Sequence, residues 1–234
     1  MKRYGQFCPI AKAAEILCER WVPLVLREIM YGSRRFNDIA RGVPLMSRGL
    51  LTQRLRELED AGIVRRSDST YGLTPAGEAL RPLIEQMGIW ALQWSMASIT
   101  EHDLDDATLV WGLRRMLRVP AVLQARRLVL RFDFFGLPPA ARTARRSWWL
   151  LAEQGEVEVC LKDPGYAVDV VFAADLRCFM QILLGQRSLQ SAARGGGVRI
   201  SGVPALARAA PRWLPLHGES TRSLGITPAL AAGR

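Results

Sequence analysis

The sequence predicts an α+β chain in two parts: a mostly helical N-terminal domain over residues 1–100, and a C-terminal domain over residues 105–215 in which helices cover a small sheet. Three observations predict it. Apolar residues in the first part recur at helical spacing, as Leu51, Leu55 and Leu58 do. In the second part the period drops to two, as in "RLVLRFDF" and "EVEVCL". Between them "SITEHDLDDA", Ser98 to Ala107, is polar and acidic and interrupts the helical pattern. Residues 216–234 read as a flexible tail.

The totals narrow the classes. At 234 residues with 49% hydrophobic content, 7 Trp and 7 Phe, the chain is globular, with room for one large or two small domains. No apolar run approaches the ~18 residues of a membrane span, so no membrane insertion is expected. The N-terminus is basic, but Lys12 and Glu15 interrupt any signal-peptide core, which makes the expected location cytoplasmic. Cys8, Cys18, Cys160 and Cys178 form no close pair, so neither a zinc site nor a disulfide framework is expected, and no cofactor. A formal charge of +10, divided between both halves, favours polyanions: nucleic acid or an anionic membrane surface.

The elements follow in order. "CPIAKAAEILC" opens a helix with Pro9 at a favourable first position, and Ile10, Ala14 and Leu17 share a face. "WVPLVLREIMY" gives a second helix, and "RRFNDIARG" a short third with Phe36, Ile39 and Ala40 inward. Ser47 is the N-cap of a fourth, whose apolar stripe is Leu51, Leu55 and Leu58. Opposite that stripe lie Gly49, Thr52, Gln53 and Arg56. Gly62 ends the helix, and "IVRR" with "YGLT" reads as a hairpin around Ser67-Asp68-Ser69.

Helix, turn, polar-faced helix and hairpin are the order of a winged helix-turn-helix. A helix that enters the major groove needs an apolar back and a front that reaches base edges. Thr52, Gln53 and Arg56, with Ser47 and Arg48 at the helix start, are therefore the base-edge candidates. Arg34, Arg35, Arg65 and Arg66 are the phosphate candidates. Taken alone, the fourth helix would more often be an ordinary amphipathic helix with a solvated face; the complete order reverses those odds.

Cys8-Pro9, Arg20-Trp21, "RRFNDI", the Ser47-to-Leu58 pattern and "YGLTPAGEAL" together resemble the HxlR-type transcriptional regulators, over roughly residues 7–95. The resemblance implies a dimeric, sequence-specific binder of double-stranded DNA, related to the MarR-like winged helices. The wing, Arg65 to Gly72, is shorter than the family often shows. Separately, residues 75–98 read as one helix with two apolar stripes. Leu80, Leu83, Ile84, Met87 and Trp94 form the first; Ile89, Leu92 and Met96 form the second. One stripe suits the helix's own domain and the other a partner subunit, although a helix sandwiched inside one chain would also bury both. A two-fold homodimer would read an inverted-repeat operator.

In the second half, "DDATLVWGLRRML" is a helix with acid at its start and Arg114, Arg115 and Arg118 at its end. "RLVLRFDF", "EVEVCL" and "AVDVVF" read as half-buried antiparallel strands, and "SWWLL" adds a bulky strand between them. "DLRCFMQILLG" is a helix with Leu176, Phe179, Met180 and Leu183 on one face; "RGGG" is a turn, "VRIS" a strand, and the last helix carries Leu206, Ala210 and Trp213. "ADLR", "LLGQRSL" and "VRISG" resemble the sterol carrier protein fold, over roughly residues 107–214. That resemblance implies an apolar tunnel, for whose lining Leu130, Phe132, Trp148, Leu150, Phe172, Phe179 and Leu183 are the candidates. The same residues could equally fill a core. A hydrophobic small-molecule effector is the expected ligand.

Cys8, at the mouth of the first helix near Lys2 and Arg3, is a possible redox site, with a buried packing thiol the commoner outcome. Enzyme readings find no support: His102 and His217 lie in the linker and the tail, so no acid–base pair is apparent and no catalytic residue is expected. The other functions open at this point are a lipid-binding or carrier protein whose helical half mediates dimerisation, and a thiol-based regulator acting through Cys8.

Overall fold

A computed structural model of the chain describes residues 4–96, 99–124, 126–137 and 147–214. The tail expected at 216–234 lies outside them. The chain forms two compact units that divide after Gly88, inside a helix rather than at the polar stretch near residue 100.

The first unit holds α1 (Pro9–Leu17), α2 (Val22–Met30), α3 (Phe36–Gly42), α4 (Arg48–Asp60), β1 (Val64–Ser67), β2 (Thr70–Leu73) and α5 (Pro75–Glu78). Helix α6 (Arg81–Trp94) begins in it. Its core joins Val22, Val25, Leu26 and Ile29 of α2, Ile39 of α3, and Leu51, Leu55 and Leu58 of α4. The leucine stripe of α4 is thus its docking face. Ser47 caps α4 by accepting the Leu50 N–H at 3.3 Å. At the other end Gly62 takes φ +70°, and the Ile63 and Gly62 N–H groups bond back to the Leu58 and Glu59 carbonyls, each at 2.9 Å. That reversal is the glycine-terminated stop that leads straight into β1.

The hairpin β1–β2 pairs Ser67 with Thr70 around Asp68, whose φ is 51°. Residues 34 and 35 extend it along the free side of β2: the Tyr71 N–H donates to the Arg34 carbonyl at 2.7 Å, and Arg35 bridges Thr70. Thr74 then caps α5 and ties it back, its hydroxyl donating to the Gly62 carbonyl at 2.6 Å.

The single helix expected over 75–98 is two helices. Pro82 cannot donate to the Glu78 carbonyl, and its ring would collide with that group in a continuous helix, so the chain turns at Ala79-Leu80 before α6 starts. The stripe divides accordingly. Leu80 and Ile84 pack on the first core, whereas Leu83, Met87, Trp90 and Trp94 stand exposed.

The second unit holds α7 (Asp106–Met116), α8 (Ala121–Gln124), β3 (Leu128–Phe135), β4 (Ser147–Glu153), β5 (Glu156–Cys160), β6 (Val170–Asp175), α9 (Leu176–Leu183), α10 (Leu189–Arg194), β7 (Val198–Gly202) and α11 (Pro204–Ala209). The sheet order is β5-β4-β3-β6-β7. One expectation fails here: β3 and β6 pair in parallel, although the other neighbours are antiparallel. Alternation fixes which face of a strand is buried, but not its direction. Residues 161–169 carry the chain back past β4 and β3, so β6 enters on the far side in the direction of β3. The last alternating strand also starts late, at Val170, leaving Val168 half-buried before it.

Leu128, Leu130, Phe132 and Phe134 of β3 face the second core, with Trp148, Leu150, Val170 and Phe172 beside them. On α9, Leu176, Cys178, Phe179 and Ile182 are buried, while Leu183 is half-buried. Asp106, at the start of α7, is buried and accepts the Trp148 indole N–H at 2.7 Å, which fixes α7 against β4. Among the described residues no helix is long and apolar enough to cross a membrane, and no cluster of metal-ligating side chains occurs.

Candidate nucleic-acid interface

The outer face of α4 presents the residues that its spacing assigned there. Gly49, Gln53 and Arg56 are exposed and Thr52 is half-exposed. Arg56 makes no polar side-chain contact among the described residues, so its guanidinium is available to a ligand. The Gln53 amide donates to Glu57 Oε1 at 3.0 Å, one turn on, and the Thr52 hydroxyl donates to the Arg48 carbonyl at 3.0 Å. Both side chains are held along the helix and keep acceptor oxygens facing outward. Arg48 folds back on α3: its guanidinium lies 5.1 Å from the Phe36 ring centroid and bonds to Asn37 Oδ1. Ser47 serves the helix as its cap.

The wing gathers arginines far apart in sequence. Arg34 Nη1 and Arg65 Nε each lie 3.5 Å from where a Cβ on Gly72 would sit, so two guanidinium groups converge over one glycine. Arg35 is exposed beside them. Arg66 turns back over the hairpin, donating to the Asp68 carbonyl at 3.2 Å and lying 5.8 Å from the Tyr71 ring centroid. Like charges brought together repel unless an anion lies between them.

Arg54 was not among the candidates, yet it sets the direction of α4. It donates to Glu19 Oε2 at 2.9 Å, to the Arg20 carbonyl at 3.3 Å and to Glu57 Oε2, clamping α4 to the turn after α1. Burial would raise the Glu57 carboxyl, but the hydrogen bonds from Arg54 and Gln53 outweigh it and hold the group below its ordinary value. The visible signal was the i,i+3 pairing of Arg54 with Glu57. A second buried network fixes α3: Glu28 accepts from Arg27 at 2.8 Å and from Ser33 at 3.3 Å, and Arg27 donates on to the Gly42 carbonyl at 3.0 Å.

Residues 16–99 match the HxlR-like helix-turn-helix family. The HTH-type transcriptional regulator YvaP of Bacillus subtilis is 37% identical over 98 residues, which are 38% of this chain and 91% of that protein. The chain belongs to the HxlR-like helix-turn-helix family. It is a transcriptional regulator of this type. YodB, another B. subtilis HTH-type regulator, is 35% identical over 95 residues, 37% of this chain and 85% of its own length. The crystal structure of quinone-bound YodB covers 36% of this chain and 97% of its own, at 37% identity and a TM-score of 0.34. What the family does not account for is the second unit. Residues 124–212 match the SCP-2 sterol transfer family.

In that second domain the residues expected to line a tunnel are core. Leu130, Phe132, Trp148, Leu150, Phe172 and Phe179 are buried and pack together, with Leu183 half-buried beside them. Phe132 stacks on Phe172 with centroids 4.9 Å apart, and Phe179 meets Phe132 and Phe134 edge-on at 6.1 and 5.8 Å. A pocket of about 280 Å³ lies elsewhere, at the β4–β5 turn, lined by Leu117, Val119, Ala152 and Val157 together with Arg118, Glu153 and Glu156. None of them was among the candidate lining residues: they come from the segment after α7 and from the facing ends of β4 and β5, where alternation marks a strand but not a pocket. Cys8 is the half-buried N-cap of α1, and its side chain makes no capping bond.

Proposed function

We propose that the chain is a homodimeric, sequence-specific DNA-binding regulator whose α4 reads base edges in the major groove while the wing holds the backbone. The observation that carries this is the exposed Gln53–Arg56 face of a docked and capped helix, set beside the paired Arg34 and Arg65. Gln53 and Arg56 contact bases, Thr52 adds to that face, and Arg34, Arg35, Arg65 and Arg66 contact phosphates. Arg48 must leave Asn37 before it reaches DNA. The exposed stripe Leu83, Met87, Trp90 and Trp94, spaced as one face of α6, supports a subunit interface there. The chain acts by binding rather than catalysis.

The sterol-carrier-like domain is the effector unit in this reading. A pocket of about 280 Å³ lined by both apolar and charged side chains suits a small amphipathic molecule better than a sterol. Such a molecule alters DNA affinity only by its difference in affinity for two dimer arrangements. A second reading makes Cys8 the sensor, favoured by its partly open position at a helix start; a Cys8→Ser chain that keeps its full oxidant response removes it.

The test is selection of duplexes from a randomised pool by the full chain. The expected result is enrichment of an inverted repeat with half-sites about one helical turn apart. Recovery of the pool without enrichment would overturn sequence-specific reading.

A further inference from the structure

From Leu176 to Gly218 the sequence contains six arginines and no aspartate or glutamate, so this stretch alone supplies more than half of the formal net charge of +10. The fold places four of the six at one margin of the sheet. Strand β7 is an edge strand, and both α10 and α11 pack against it. Arg194 ends α10, Arg199 lies in β7, Arg208 lies in α11 and Arg212 follows it; all four are exposed. Among the described residues none of the four makes an ion pair or a side-chain hydrogen bond.

Other arginines of the same domain behave differently. Arg126 pairs with Asp169, Arg127 with Glu153 and Arg131 with Asp133. Arg177 is tied to the Ile99 carbonyl. The opposite edge strand, β5, exposes Glu156 and Glu158. The sheet is therefore acidic along one margin and basic along the other, and the four unpaired arginines gather on the basic one. In register, Arg199 lies on the sheet face opposite Val198 and Ile200, which face the core, so its guanidinium is not committed to packing.

We propose that the α10–β7–α11 margin is a second polyanion surface, which binds backbone phosphates of duplex DNA beyond those held by the winged helix. The proposal rests on the DNA-binding reading above. Guanidinium groups suit phosphate oxygens, and helices of six residues are too short to fill a major groove, so this surface adds affinity without base preference.

The experiment measures binding of the full chain to a long mixed-sequence duplex by fluorescence anisotropy, across a series of KCl concentrations. Each phosphate contact contributes roughly 0.9 to the slope of log affinity against log salt. The variant Arg194→Gln/Arg199→Gln/Arg208→Gln/Arg212→Gln is expected to lower that slope by about two to four. The matching four-lysine variant is expected to keep the wild-type slope, which separates charge from folding. A four-glutamine variant with the wild-type slope and affinity overturns the proposal. If that happens while Arg34→Gln/Arg65→Gln abolishes binding, the winged-helix reading stands and only this inference falls. A wild-type chain that binds no duplex overturns both. A four-glutamine variant that loses binding to phosphatidylserine vesicles, with its DNA slope unmoved, gives this margin to a membrane surface and overturns the proposal as stated.

Discussion

Replacing Gly77 by alanine should break the wing away from its support. Gly77 lies in α5, against the chain that enters β1. A Cβ built there falls 2.2 Å from the Ile63 carbonyl oxygen and 3.1 Å from Leu73 Cδ2. The obstacle is backbone, so no side-chain rotation relieves it. The same carbonyl accepts the Thr74 N–H at 3.0 Å, and the Thr74 hydroxyl bridges to Gly62 at 2.6 Å. Separating α5 from Ile63 by roughly 1 Å adds an overpacking cost of about 1–3 kcal/mol. It also weakens one or two hydrogen bonds worth about 1 kcal/mol each. A loss of about 2–4 kcal/mol in a unit of this size lowers its melting temperature by roughly 10–25 °C. The assay is calorimetric unfolding of the full chain, following the transition of the first unit, with Gly88→Ala as the control. Gly88 sits inside α6 with nothing within 4 Å of its Cβ position, so there alanine should stabilise by up to about 1 kcal/mol through helix propensity. If Gly77→Ala melts with the wild type, or above it, the close approach that positions the wing is refuted.

Three further outcomes follow from the packing. Phe179→Ala removes a ring from the Phe132–Phe134–Phe172 cluster and should destabilise the second domain by about 3–5 kcal/mol in urea unfolding; an unchanged midpoint would mean that the ring lines a space rather than fills one. Because Glu57 is held below its ordinary value in the folded chain, its contribution to stability is present above the unfolded carboxyl pKa and is lost as pH falls through the folded one. Glu57→Gln should therefore be less stable than the wild type at neutral pH, with the gap closing below the ordinary carboxylate range; a gap independent of pH contradicts this. Trp90→Ala/Trp94→Ala should shift sedimentation toward monomer while leaving the fold intact, since both side chains are exposed on α6; an unchanged dimer would place the interface elsewhere.

Helix α4 was legible because one stripe of leucines defines its buried face and therefore its outer one. Gln53 and Arg56 follow from that single fact of spacing, while Ser47 and Gly62 mark the helix ends by residue type. The meeting of Arg34 with Arg65 was not legible, because it depends on residues 34–35 running along β2, a pairing between segments about thirty residues apart. In the second domain, alternation marked β3, β5 and β6 as strands but not the parallel entry of β6, which its connection decides. It also could not separate a tunnel from a core: Phe132 and Phe172 alternate inward in either case, and only the 4.9 Å stacking of their rings decides what they meet. Trp90 was missed although it completes the spacing of Leu83, Met87 and Trp94, because the break at Pro82 regroups which residues turn outward.

The most direct measurement is the affinity of the Arg56→Ala chain for its selected duplex and for unrelated competitor DNA, at one fixed salt concentration. If α4 reads base edges, binding to the selected sequence falls by about 1–3 kcal/mol, competitor binding hardly changes, and preference at one base position relaxes. Equal weakening on both duplexes would make Arg56 a phosphate contact, and no change on either would remove α4 from the DNA.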